Sequence, residues 1–274
     1  MNDADMRFEG LTTLAARLDS GKTASRDLVE WAAQQLQDCG EDGQRSFVEH
    51  DLTAARELAD SIDERRARGD SLPPFAGIPV TVKDLFDVAG QTTRAGSLLR
   101  DGEPAASADA EAVSRLREAG FIVIGRTNMT EFAYSGLGLN PHFGTPRNAW
   151  DRDNERIPGG SSSGAATTVA WGISAAGLGT DTGGSCRIPA AFNGIVGFKP
   201  TAARVSMAGC FPLSASLDSI GPLANKVSCC AILDQIMSNS PALGQVAPSD
   251  VSIVVPTNVI DWGLDAEVAR AFDR

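Results

Sequence analysis

A chain of 274 residues with 35 acidic against 24 basic side chains (net charge −11), 42% hydrophobic and 22% charged, has the composition of a globular protein with a sizeable core. The acidic balance opposes a surface built to follow a phosphate backbone, the N-terminus from Met1 to Gly10 has no apolar h-region, and no run of about 18 apolar residues occurs, so neither nucleic-acid binding, secretion nor membrane insertion is expected. Cys39, Cys186, Cys210, Cys229 and Cys230 form an odd set without C-x-x-C, which points to reduced thiols in the cytoplasm and to no metal or other cofactor, and His50 and His142 are the only histidines.

The chain opens with helices. Leu28, Ala32 and Leu36 recur at helical spacing, entered through Thr23 or Ser25 as N-cap and left at Gly40. Asp51 to Asp70 holds ten charged residues, with Leu52, Ala55, Leu58, Ala59 and Ile62 along one face of an amphipathic helix. Leu72-Pro73-Pro74 then breaks the pattern, and no internal repeat appears. From Gly77 short apolar runs predict buried strands at Ile78–Val82, Phe121–Ile124, Ile195–Phe198 and Val251–Val255. Between them Val113, Leu116 and Ala119 stripe a helix over Asp109–Ala119, closed by Gly120, so strands alternate with helices as in an α/β core whose sheet is largely covered. Asp265 caps a last stripe, Val268, Ala271 and Phe272, that stops mid-pattern at Arg274. The expected organisation is one domain, incomplete at its C-terminus: lead-in helices over 1–70, a catalytic core over 71–240 and the start of a C-terminal part over 241–274. With that stripe bare, the chain is expected to be marginally stable and to self-associate as a homo-oligomer.

Across the 42 residues from Gly159 to Pro200 only Asp181, Arg187 and Lys199 carry charge. Gly159-Gly160 and Gly183-Gly184 free the backbone to aim successive N–H groups into one small space, as an oxyanion hole or anion nest requires. Four readings compete. A pair of glycine turns can simply bracket a buried helix over Ala165–Ile173. Gly177-x-Gly179 opens like a dinucleotide fingerprint, but its third glycine falls one residue late. Gly160 to Gly164 is formally G-x-S-x-G with Ser162 central, yet that triad needs a histidine after the serine and neither histidine qualifies. A serine nucleophile with a lysine base needs a buried amine of depressed pKa; Lys83, ending the strand Ile78–Val82, is the candidate, against the plainer reading of an exposed lysine paired with Asp84.

The blocks GIPVTVKD (77–84), GGSSSG (159–164) and GTDTGGSCRIPAAFNGIVGFKPT (179–201), in that order, resemble the amidase signature family of Ser-Ser-Lys hydrolases, and RTNMTEFAYSG (126–136), FGTPRNAW (143–150) and LDSIGPLA (217–224) are similar to further blocks of it. The resemblance implies an α/β fold with a mixed central sheet covered by helices on both faces. It implies Ser185 as the acyl-forming serine, Ser161, 24 residues earlier, as a bridging serine on a cis peptide, and Lys83 as the base. It further implies an oxyanion hole on the N–H groups of Thr182, Gly183, Gly184 and Ser185, with Ser162 and a buried Asp181–Arg187 pair bracing the loops. Ser163 departs from the family's usual GGSSGGSAA, beyond both catalytic serines, where little effect is expected.

The activity so implied is hydrolysis of a carboxamide C–N bond, outside peptides, to carboxylate and ammonia, with a small-molecule amide as partner. Two alternatives stand beside it: the catalytic component of a glutamyl-tRNA amidotransferase complex, its A chain, from which RIPAAFNG (187–194) departs, and a non-catalytic truncated fragment.

Overall fold

A computed structural model of the chain describes residues 9–151, 153–241, 244, 246–256 and 263–273. The chain divides into two compact units, Met1–Pro241 and Ala242–Arg274.

In the first unit, α1 (Leu11–Asp19), α2 (Ser25–Asp38) and the short α3 (Glu41–Arg45) lead through β1 (Phe47–His50) into α4 (Leu52–Ala67). Asp51 caps α4 by accepting the Ala54 N–H, and Ala55, Ala59 and Ile62 form its buried stripe. Leu58 departs from the expected stripe, 48% exposed where it opens onto a groove beside Leu72 and Val123. The start of α2 also differs from expectation: its N-cap is Ala24, and neither Thr23 nor Ser25 caps it. The Ser25 and Arg26 N–H groups donate instead to Asp63 of α4 at 2.8 and 2.9 Å, so a carboxylate on a distant helix satisfies the orphan donors and fixes α2 on α4.

β2 (Pro79–Lys83), β3 (Ile122–Thr127), β4 (Ala176–Asp181), β5 (Val196–Gly197) and β6 (Ser219–Ala224) complete a mixed sheet in the order β1-β3-β2-β4-β6-β5. β2 runs parallel to both its neighbours, β3 and β4, and the remaining pairs are antiparallel. The parallel pairing brings the C-terminal ends of β2 and β4, Lys83 and Asp181, to one edge of the sheet, where ligand sites of such sheets form. The run from Ile195 to Phe198 contributes only Val196 and Gly197 to the ladder, with Phe198 37% exposed.

Alternation along the strands divides the core. Val80, Val82 and Leu178 join Leu14 of α1, Val113 and Leu116 of α5 (Glu111–Glu118) and Leu233 of α8 (Val227–Ser238). Ile122 and Ile124 instead meet Val29 and Ala32 of α2 and Ala59 of α4. Leu223 meets Ala165 and Ala166 of α6 (Ser163–Ala170) and Ala190 of α7 (Arg187–Asn193). The sheet is therefore covered on both faces, as the α/β pattern predicts.

Helix α6 lies so close to its neighbours that a Cβ on Gly164 would stand 2.1 Å from the Ser46 carbonyl oxygen and 2.7 Å from the Asn128 nitrogen. Both atoms are backbone, so the clash has no flexible end to absorb it. Gly164→Ala is expected to cost about 3 kcal/mol, read as a lower urea midpoint; an unchanged midpoint would show that α6 can shift.

The second unit contains a 3₁₀ turn, Pro248–Asp250, and a helix, Ala266–Phe272, which Asp265 caps by accepting the Glu267 N–H at 2.8 Å. No residue of that helix is buried, and Val268 and Phe272 are each 54% exposed. The strand expected at Val251–Val255 is absent: the chain there joins no ladder and Ile253 is 85% exposed. A β-branched run specifies the capacity for a strand, and among the described residues of this unit there is no other strand to receive it.

Candidate active site

The site grows from the end of β2. Thr81 faces α6, its hydroxyl 3.2 Å from that of Thr168, and two residues on Lys83 follows the same side of the strand. Its side chain is buried, and Nζ donates to Ser161 Oγ at 2.7 Å and to Thr180 Oγ1 at 2.8 Å. Burial penalises the ammonium and lowers the Lys83 pKa from 10.5 to about 8. Asp84 is not its partner: that carboxylate accepts from Arg126 Nε at 2.7 Å and from the Gly96 N–H at 2.9 Å.

Ser161 enters on a cis peptide from Gly160, just before α6. The Thr130 N–H donates to its carbonyl at 3.1 Å, and the Gly160 N–H donates to Gly136 O at 2.8 Å. The next residue, Ser162, ties the two serine loops together. Its N–H donates to Ser185 O at 3.2 Å and its hydroxyl to Thr180 O at 3.3 Å.

Ser185 lies on the turn between β4 and α7, 8% exposed. The turn hangs from Asp181. One oxygen accepts from the Gly184 N–H at 2.8 Å and the other from the Cys186 and Arg187 N–H groups at 3.2 and 3.3 Å. The Arg187 guanidinium adds a bidentate pair, both bonds 2.9 Å. Burial works to raise the Asp181 pKa, but Arg187 and the backbone donors outweigh it and hold the carboxyl below its ordinary value. The pair is only half buried, because the Arg187 side chain is 53% exposed, a correction to the expected buried ion pair.

The same carboxylate corrects the expected oxyanion hole. An N–H has one hydrogen, and that of Gly184 is spent on Asp181, so Gly184 is no free donor. The N–H groups of Thr182, Gly183 and Ser185 make no hydrogen bond among the described residues. Gly184 serves the turn differently: its φ is +135°, which glycine adopts freely, and a Cβ there would lie 2.7 Å from Ile188 Cδ1. Lys83, Ser161, Ser162, Thr180 and the 181–187 turn thus form one hydrogen-bonded assembly. Ser185 Oγ itself forms no hydrogen bond among the described residues, to Ser161 or to any other side chain. The histidines lie apart, His50 beside Gln44 and His142 beside Glu131. Cys186 fills space: it is buried, its thiol pushed up to about 12 by burial.

A family profile named Amidase matches residues 29–264. The chain belongs to the amidase family. The AtzE component of 1-carboxybiuret hydrolase from Pseudomonas sp. (strain ADP) is 44% identical over 225 residues, 82% of this chain and 48% of that protein. The 2-amino-5-chloromuconic acid deaminase of Comamonas testosteroni is 38% identical over 94% of this chain and 56% of its own length. The glutamyl-tRNA(Gln) amidotransferase A component of Chromohalobacter salexigens is 38% identical over 97% of this chain and 57% of its own length. A crystal structure of an amidase superposes with a TM-score of 0.87 at 41% identity, covering 97% of this chain and 60% of that one. The chain thus spans about half the length of the curated relatives it matches.

Within this amidase core two polar residues were missed by sequence reasoning. Thr180, 4% exposed, accepts the second Lys83 hydrogen bond; its place one residue before Asp181 in GTDTGGS was the available signal. Asp218, 7% exposed, accepts from the Thr182 hydroxyl, and only its place in LDSIGPLA hinted at a role. Among the described residues no cluster of three His, Cys, Asp or Glu side chains could hold a metal ion, and no helix is long and apolar enough to cross a membrane.

Proposed function

We propose that this core hydrolyses a small carboxamide, rather than a peptide bond within a chain, to carboxylate and ammonia through an ester on Ser185. The observation that carries the reading is the buried Lys83 amine 2.7 Å from Ser161 Oγ, beside a turn with three uncommitted N–H donors. Neutral Lys83 takes the Ser161 proton, Ser161 takes that of Ser185, and Ser185 Oγ bonds to the amide carbon. The carbonyl oxygen, now an oxyanion, is met by the Thr182, Gly183 and Ser185 N–H groups, donors of this kind being worth about 3 kcal/mol each. The proton returns through Ser161 to the leaving nitrogen as the C–N bond breaks, and ammonia departs. Water then attacks the Ser185 ester by the same relay, releasing the carboxylate and restoring the hydroxyl. The five cysteines are unbonded, which supports a cytoplasmic setting.

The base must be neutral, so its pKa of about 8 sets the pH dependence. Below it the neutral fraction falls tenfold for each pH unit, to about a tenth at pH 7. Reaction of the chain with a fluorophosphonate, followed as intact mass, is therefore expected to accelerate from pH 6 to 8 and level off above. A rate flat across that range would remove Lys83 as the base.

A further inference from the structure

One buried acid beside the site has no part in that relay. Asp218 precedes β6 next to Ser219, the register partner of Asp181, so two carboxylates flank the turn that carries Ser185. They are balanced differently. Asp181 has Arg187, whereas Asp218 forms no ion pair among the described residues. Its charge is shared by three hydrogen bonds drawn from two loops. One oxygen accepts from the Thr182 hydroxyl, and the other from the Leu213 and Ser214 N–H groups at 2.9 Å each. The Asp218 and Leu217 N–H groups return to Ser214 O at 2.9 and 3.0 Å, closing residues 214–218 into a turn. That turn carries Leu217, 59% exposed, with Leu213 beside it at 38%.

We propose that Asp218 is a positioning residue for acylation, fixing Thr182 so that its N–H stays aimed as an oxyanion donor and coupling that donor to the 214–218 turn. The proposal rests on the acyl-enzyme reading above. Two features favour it. A charge-assisted hydrogen bond is about twice as strong as a neutral one, and the β-branch of Thr182 leaves few rotamers, so the hydroxyl bond also orients the backbone it hangs from. The Thr182 hydroxyl is kept from the oxyanion itself, which leaves the peptide N–H to serve.

Burial dominates at Lys83, and against it act Cys186, Cys210, Asp181 and, least of them, Asp218, while nearby Asp84 is bound by Arg126. The negative charge of Asp218 works to keep the Lys83 amine protonated. Removing that charge would lower the Lys83 pKa whatever Asp218 does for Thr182, so positioning is read from the saturated rate against the half-saturating concentration.

The test measures fluorophosphonate labelling of the full chain by intact mass, against probe concentration, for wild type, Asp218→Asn, Thr182→Val, Thr182→Ser, the Asp218→Asn/Thr182→Val double variant and Ser185→Ala. Asp218→Asn and Thr182→Val are each expected to slow saturated labelling by about tenfold with the half-saturating concentration unchanged, and Thr182→Ser, which keeps the hydroxyl but loses the β-branch, to fall between Thr182→Val and wild type. The double variant should be no slower than the slower single one, since both cut the same link. Labelling of Asp218→Asn at the wild-type rate, or losses that multiply in the double variant, would overturn the proposal. If Asp218→Asn fails to fold, Thr182→Val decides alone, and a wild-type rate there overturns it. Persistent labelling of Ser185→Ala, or none of wild type, would instead sink the acyl-enzyme reading itself.

Discussion

Replacing Lys83 by methionine is expected to slow acylation of Ser185 by at least about 10³-fold while leaving the chain as stable as before or more so. The two effects have one cause. The native amine titrates near 8 and the unfolded one at 10.5, so folding at neutral pH must desolvate an ammonium. A gap of that size corresponds to about 3 kcal/mol against the native state, part of it offset by the bonds to Ser161 and Thr180. The sign follows from proton counts. Between about 8 and 10.5 the unfolded chain holds more protons than the native one, so the lysine protein gains stability as pH rises through that window. Below about 8 the full cost is present. Urea melts of both proteins should therefore show Lys83→Met ahead at pH 7 by about 1 to 3 kcal/mol, the difference closing towards pH 10.5. A variant less stable than wild type at pH 7 would contradict the desolvation cost, and one still acylated at the wild-type rate would contradict the role as base.

The second large effect is expected at Asp181. Asp181→Ala removes the acceptor for the Gly184, Cys186 and Arg187 N–H groups and the partner of the Arg187 guanidinium. Arg187 is exposed enough to rehydrate. Gly184 and Cys186 are buried, and each stranded donor costs about 1 to 3 kcal/mol. The loss of stability should therefore reach about 3 kcal/mol, with acylation falling about 10²-fold or more as the turn loses its aim. Asp181→Asn, which keeps one acceptor oxygen, should fall between wild type and Asp181→Ala in a urea melt. Equal stability of all three would show that the turn is held by something else.

Much of this architecture is legible in the sequence because it is local. The apolar runs at Ile78 and Phe121 and the stripe of α4 announce their elements through periodicity alone, and the ordered glycine-serine blocks bring Lys83, Ser161 and Ser185 into one reading. What was misread is settled between distant residues. The start of α2 is capped by Asp63, and no pattern around Thr23 and Ser25 could reveal an acceptor on another helix. The run from Val251 to Val255 has the residues of a strand, but a strand also needs an edge to join. Gly184 sits among the proposed oxyanion donors in sequence, and only the fold shows its hydrogen already taken by Asp181. Thr180 and Asp218 escaped notice for a related reason: a threonine and an aspartate announce no chemistry until a lysine amine and a threonine hydroxyl are placed against them.

The central claim is that Ser185 is the nucleophile and that Lys83 activates it through Ser161. Its most direct measurement is peptide mapping of the fluorophosphonate adduct on wild type, Lys83→Met and Ser161→Ala. The account predicts a single adduct on Ser185 in wild type, absent or at least about 10³-fold slower in Lys83→Met and strongly slowed in Ser161→Ala. An adduct on Ser162 would point to a nucleophile elbow, and an adduct on Ser185 formed at the wild-type rate without the lysine would contradict the relay.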